Sequence, residues 1–106
     1  MTAWKRTERA IARRLNGKRL GATGTATPDV VTERLAVEVK HRRELPEWLK
    51  GALAQAVNNA GDRLPLVVLH EAGQRHADDL VVMRLADFEQ TILQICKPLA
   101  HQKRIC

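Results

Sequence analysis

The stretch Thr27-Pro28-Asp29-Val30-Val31-Thr32-Glu33-Arg34-Leu35-Ala36-Val37-Glu38-Val39-Lys40 decides how the rest of the chain is read. It predicts two short strands joined by a tight turn. Side chains alternate across a strand, so Leu35, Val37 and Val39 share one face while Ala36, Glu38 and Lys40 share the other. The first set can pack into a core. The second holds a carboxylate and an ammonium two residues apart, with Asp29 on the preceding strand available to join them. Converging carboxylates make a hard-oxygen site suited to a divalent cation such as Mg2+, and a lysine beside it can hold a water. Taken alone the pattern is also an ordinary one: an exposed strand face with Glu and Lys, and a Pro-Asp turn. The rest of the chain must add to it.

With 106 residues the chain suits one domain, read as residues 1–98 with a basic tail at 99–106. It carries 18 Lys and Arg against 12 Asp and Glu, a net +6, which favours a polyanionic partner. No apolar run approaches a membrane span and the N-terminus lacks the core of a signal peptide, so a soluble, intracellular protein is expected. Cys96 and Cys106 have no CxxC spacing, and the four histidines lie scattered, which suggests neither a disulfide framework nor a zinc site.

Residues 2–15 predict a helix stopped by Asn16-Gly17. Trp4, Ile11 and Leu15 form a narrow apolar stripe, and Glu8 falls inside it. A carboxylate there needs a partner. Two readings are open: a metal, a lysine or a water held by one, or Glu8 at the edge of the stripe salt-bridged to an arginine. Arg6, Arg9 and Arg13 line the opposite side, flanked by Lys5 and Arg14, in a stripe suited to phosphates. Residues 17–20 predict a short edge strand leading into the small-residue loop Gly21 to Thr27. That loop is either a plain linker or a set of N–H groups and hydroxyls for phosphates. No GxxxxGK[ST] is present, so a nucleotide cofactor is not expected.

His41-Arg42-Arg43 adds positive charge after Lys40. Pro46 opens a helix to about Ala60 with Trp48, Leu49, Ala52, Leu53, Ala56, Val57 and Ala60 on its apolar face, and Gln55 and Asn59 at the border. Residues 64–70 and 80–85 read as strands, the first apolar on both faces and therefore expected inside a sheet. Asp87 with Gln90 suggests a capping box for a last helix burying Leu85, Phe88, Ile92 and Ile95, ended by Pro98. The expected architecture is α/β, in the order α-β-β-β-α-β-β-α.

Laid out this way, the chain resembles the PD-(D/E)XK nuclease superfamily, and within it the small Holliday-junction resolvases of archaeal and viral type. The resemblance rests on Trp4 to Arg9 in an opening helix, the Gly21–Thr27 loop, Pro28-Asp29, Val37-Glu38-Val39-Lys40 leading into His41-Arg42-Arg43, and Gln55. It implies a restriction-endonuclease-like three-layer core with a mixed central sheet flanked by helices. It implies that Asp29, Glu38 and the Val39 carbonyl bind Mg2+ or Mn2+, that Lys40 orients the attacking water, and that Glu8 is an extra acidic residue acting as ligand or through water. Gln55 matches the superfamily's helix glutamine, and Thr23 or Thr25 would assist cleavage. Lys5, Arg6, Arg9, Arg13, Arg42 and Arg43 would grip DNA, branched or duplex. The resolvases are homodimers in recombination and repair. Rival readings are a nicking or repair nuclease of other shape specificity and a non-catalytic DNA-binding module.

Overall fold

Asparagine tolerates left-handed backbone better than other non-glycine residues, and Asn16 takes φ 55° directly after the first helix, α1 (Ala3–Arg14). The Asn16 N–H donates to the Arg13 carbonyl and the Gly17 N–H to that of Ala12, at 3.2 and 2.7 Å. This pair of bonds caps the carbonyl end and turns the chain back. The expected stop is where the sequence places it. Gly17 then runs tightly over the sheet. A Cβ built on it would lie 2.7 Å from the Val31 carbonyl oxygen. Gly17→Ala is therefore expected to destabilise by about 1–3 kcal/mol through overpacking. At a site with room the same change stabilises by about 0.4–1 kcal/mol, so the sign of the shift in urea midpoint is the check.

The computed structural model describes residues 2–21 and 26–96, with side chains as far as Thr91. Along it follow β1 (Lys18–Arg19), β2 (Val30–Val31), β3 (Ala36–Val37), α2 (Glu47–Ala60), β4 (Val67–Leu69), a 3-10 turn (His76–Asp78), β5 (Leu80–Val82) and α3 (Leu85–Cys96). The order of helices and strands is the expected one. Among the described residues this is a small mixed α/β chain with three α-helices. Its described strands form two antiparallel sheets, β1-β2-β3 and β4-β5. Two compact units divide the chain: Met1–Arg43 with Ile92–Cys106, and Glu44–Thr91. No helix among the described residues is long and apolar enough to cross a membrane.

In the first unit α1 packs on β1 and β2. Val30, at the centre of the three-stranded sheet, is fully buried, and Ala12 is buried on the helix. Enclosing one valine contributes about 1.5–3 kcal/mol, so this small core depends on few side chains. The buried line of α1 is Glu8 and Ala12, one turn apart, with Ile11 and Leu15 half-buried beside it. Trp4, expected in that line, is 45 % exposed, and the Lys5 Nζ sits 5.4 Å from its ring centroid. A cation over the indole face is a favourable arrangement for an aromatic ring left at the helix start.

In the second unit α2 packs on β4 with its expected small-residue face half-buried, except that Trp48 is 62 % exposed. β4 corrects a second expectation. It pairs only with β5 among the described strands, and Leu64, Leu66 and Val68 are all exposed. A two-stranded ribbon has no inner position, so a strand apolar on both faces cannot bury both there. α3 begins two residues before Asp87, which removes the expected cap. Asp87 instead sits in the first turn, where its Oδ2 accepts the Arg84 Nε–H at 2.8 Å and its charge favours the helix start. The side chains of Ile92 and Ile95, Pro98 and the tail lie outside the described residues.

Candidate active site

The hairpin joining β2 to β3 closes on a two-residue turn. The Thr32 N–H donates to the Leu35 carbonyl at 2.9 Å, and the Thr32 hydroxyl accepts the Arg34 and Leu35 N–H groups at 3.2 and 3.0 Å. These bonds set the register, Val31 opposite Ala36 and Val30 opposite Val37. Continued one step beyond the paired residues, the same register would set Asp29 opposite Glu38. Pairs in an antiparallel ladder alternate between hydrogen-bonded and non-hydrogen-bonded, and counting outward from Thr32–Leu35 would make Asp29–Glu38 a non-hydrogen-bonded pair. In such pairs the Cα atoms are about 4.5 Å apart and the side chains are closest. Strand alternation assigns both positions to the face opposite Val30 and Val37; Glu38 is exposed and Asp29 half-buried.

Asp29 is held from both sides. Its carbonyl accepts the Leu20 N–H at 3.1 Å, and its Oδ2 accepts the Val39 N–H at 2.8 Å. In an unbroken ladder that N–H would go to the Pro28 carbonyl, and Pro28 has no N–H to return. The aspartate takes over the strand end. A carboxylate has about four lone-pair positions, so one backbone donor leaves capacity for a cation. Along β3 and beyond, Leu35, Val37 and Val39 are half-buried while Ala36, Glu38 and Lys40 are exposed. This is the alternation expected, and it puts Lys40 on the Glu38 face.

Two like charges opposite each other across a narrow pair destabilise a sheet. The arrangement is therefore one that a bound divalent cation would relieve. Among oxygen donors of this kind Mg2+ and Mn2+ are the fitting ions.

Glu8 is 6 % exposed, as the helix pattern requires. Its partner is Arg19 on β1, whose Nε–H donates to Oε1 at 2.7 Å. Of the two readings left open by the sequence, the structure supplies the arginine. The signal was modest: Arg19 is one of several cations near the helix end in sequence, and only the β1 register turns it inward. His41 is a second link that sequence reasoning missed. The Thr7 hydroxyl donates to the Ala3 carbonyl at 3.1 Å and lies 2.8 Å from His41 Nδ1. A hydroxyl has one proton, so with the Ala3 carbonyl accepting it the ring nitrogen is assigned as donor. This bond ties the segment after Lys40 to α1.

Arg6, Arg9 and Arg13 are exposed on α1, Lys5 is half-buried, and Arg42 and Arg43 are exposed beyond Lys40. The Arg42 Nη1 donates to the His41 carbonyl at 3.3 Å. Residues 1–43 and 92–106 together hold fourteen Lys and Arg against four Asp and Glu, a net +10, leaving −4 for residues 44–91. This partition concentrates the attraction for a polyanion on the unit that carries Asp29 and Glu38. Gln55 is exposed on α2 in the other unit. Thr23 and Thr25 lie outside the described residues. The chain matches no protein-family model, no curated protein and no solved structure.

Proposed function

We propose that the protein is a divalent-metal-dependent DNA endonuclease, of PD-(D/E)XK type and selective for branched DNA such as a four-way junction. The reading is supported by the β2–β3 register, which continued one step would set Asp29 opposite Glu38, by the Val39 N–H that holds the Asp29 carboxylate, and by the exposed alternation that Lys40 shares with Glu38. Asp29 and Glu38, with the Val39 carbonyl, are the groups to hold Mg2+ or Mn2+. Bound there, the ion supplies a water of lowered pKa and offsets charge on the phosphate. Lys40 would orient the attacking water and offset the developing negative charge with its ammonium. The sheet fixes the carboxylates, and the cations of α1 and the Arg42-Arg43 corner hold flanking duplex by its phosphates without reading sequence. A restriction-endonuclease-like core and a homodimer that cuts opposing strands belong to the same proposal.

The test compares a four-way junction with linear duplex of the same sequence, in Mg2+ and in chelator. Metal-dependent cutting of the junction in preference to the duplex is expected. Equal cutting of both would remove the selectivity and leave a nicking or repair nuclease. Tight binding with no cutting in any metal would favour the non-catalytic binding module. In the same assay Arg42→Ala and Arg43→Ala are each expected to weaken binding to all sequences alike. Each should also reduce the slope of log affinity against log salt by about one, measured by anisotropy across a salt series.

A further inference from the structure

The β4–β5 ladder pairs Val67 with Val82, Val68 with Val81 and Leu69 with Leu80. Continued by one residue it sets His70 opposite Asp79, on one face and at the mouth of the hairpin loop. The loop closes through the 3-10 turn, whose three-residue period stacks His76 over Asp79. The result is one carboxylate shared by two imidazoles. Asp79 Oδ1 lies 2.6 Å from His70 Nδ1, and Oδ2 lies 3.1 Å from His76 Nδ1. The two rings are 4.4 Å apart, and one donor atom from each of the three residues falls within 4.8 Å of the others. A cleft of about 480 Å³ opens beside His70 and Asp79, with Glu71 on its wall.

We propose that His70, His76 and Asp79 bind one divalent transition metal, Zn2+ being the ion of choice. Two nitrogen donors and one oxygen suit this class, where Mg2+ and Ca2+ take oxygen alone. Around Zn2+, ligands at about 2.0–2.1 Å stand nearer to one another than the present 4.8 Å limit, and the outer side chain has room to close the gap. His76 is that side chain, 84 % exposed. His70 and Asp79 are set by the ladder and need little movement. The remaining coordination positions fall to water or Glu71. Such an ion would clip the loop at its base. The site shares no residue with the Asp29–Glu38 pair and does not depend on the proposed nuclease activity. Spacing alone hides it, since only the hairpin register brings positions 70 and 79 together.

The experiment titrates the full chain with zinc chloride by calorimetry and follows thermal unfolding with and without the ion. One zinc per chain is expected, with a raised unfolding midpoint. His70→Ala, His76→Ala and Asp79→Asn should each weaken binding by at least about tenfold. The near-isosteric Asp79→Asn and the exposed His76→Ala keep the test readable if His70→Ala folds poorly. Binding should persist in Asp29→Asn and in a variant lacking His41, Cys96, His101 and Cys106. Loss of binding in either of those, or retention in Asp79→Asn, would overturn the proposal, as would the absence of saturable binding.

Discussion

Asp29→Asn and Glu38→Gln are each expected to lower Mg2+-dependent cleavage by at least about 10³-fold in kcat, a transition-state loss of about 4 kcal/mol. Junction affinity should stay within about threefold, because the phosphates are held by α1 and the Arg42-Arg43 corner. Both substitutions keep the shape of the side chain. In Asp29→Asn the introduced amide still offers an oxygen to the Val39 N–H, so the bond that ends the strand survives in kind. Folding therefore does not confuse the outcome. The proposed pair adds a stability readout with a definite sign. Without metal, neutralising one member removes like-charge repulsion, and Asp29→Asn should be at least as stable as wild type, by up to about 1 kcal/mol. With millimolar Mg2+, wild type should gain stability and the variant should not. Cleavage that survives both substitutions would reject the site. A wild type indifferent to Mg2+ in both assays would do the same.

The strands that carry Asp29 and Glu38, and the exposed alternation of Ala36, Glu38 and Lys40, were legible in the sequence because their signals are local. Alternation over Leu35 to Lys40 assigns faces without knowledge of what covers them, and a two-residue turn fixes register by counting. The Asn16-Gly17 stop is local in the same sense. Expectations failed where the outcome depends on a distant surface. Trp4, Trp48 and Val68 are apolar enough to be assigned to a core, yet their exposure is decided by which elements lie against them, and hydrophobicity names no partner. The 64–70 strand shows this most clearly: its doubly apolar pattern predicts an inner strand, while the described pairing gives it one neighbour. The Asp87 cap failed for a different reason. Arg84 can satisfy the aspartate from within the helix start, so the same residues support a start two positions earlier. The His70–Asp79 pairing is invisible without the β4–β5 register.

Glu8 lies between these cases, and its pairing carries a second large expected effect. Helix periodicity correctly places this carboxylate in the buried line and demands a partner, but the choice between Arg19 and a cation is tertiary. With the side chain 8 % exposed and Arg19 at 19 %, the pair is largely removed from water. Truncating one member of such a pair costs about 3–5 kcal/mol when fully buried, and rather less here because the guanidinium keeps some solvent. Arg19→Met should therefore destabilise by about 2–3 kcal/mol, since it strands the carboxylate beneath α1. Glu8→Gln should cost less, because an amide oxygen can still accept the Nε–H and no charge is left buried. The double variant Glu8→Leu with Arg19→Met replaces both charges by apolar groups and should recover most of the loss, so a double-mutant cycle in urea is expected to return a coupling of about 2 kcal/mol. The same variants decide whether Glu8 also serves the cation. If Arg19 is its sole partner, Glu8→Gln keeps kcat within about threefold per folded molecule. A fall comparable to that of Asp29→Asn, with stability unchanged, would move Glu8 from the fold into the metal-binding set.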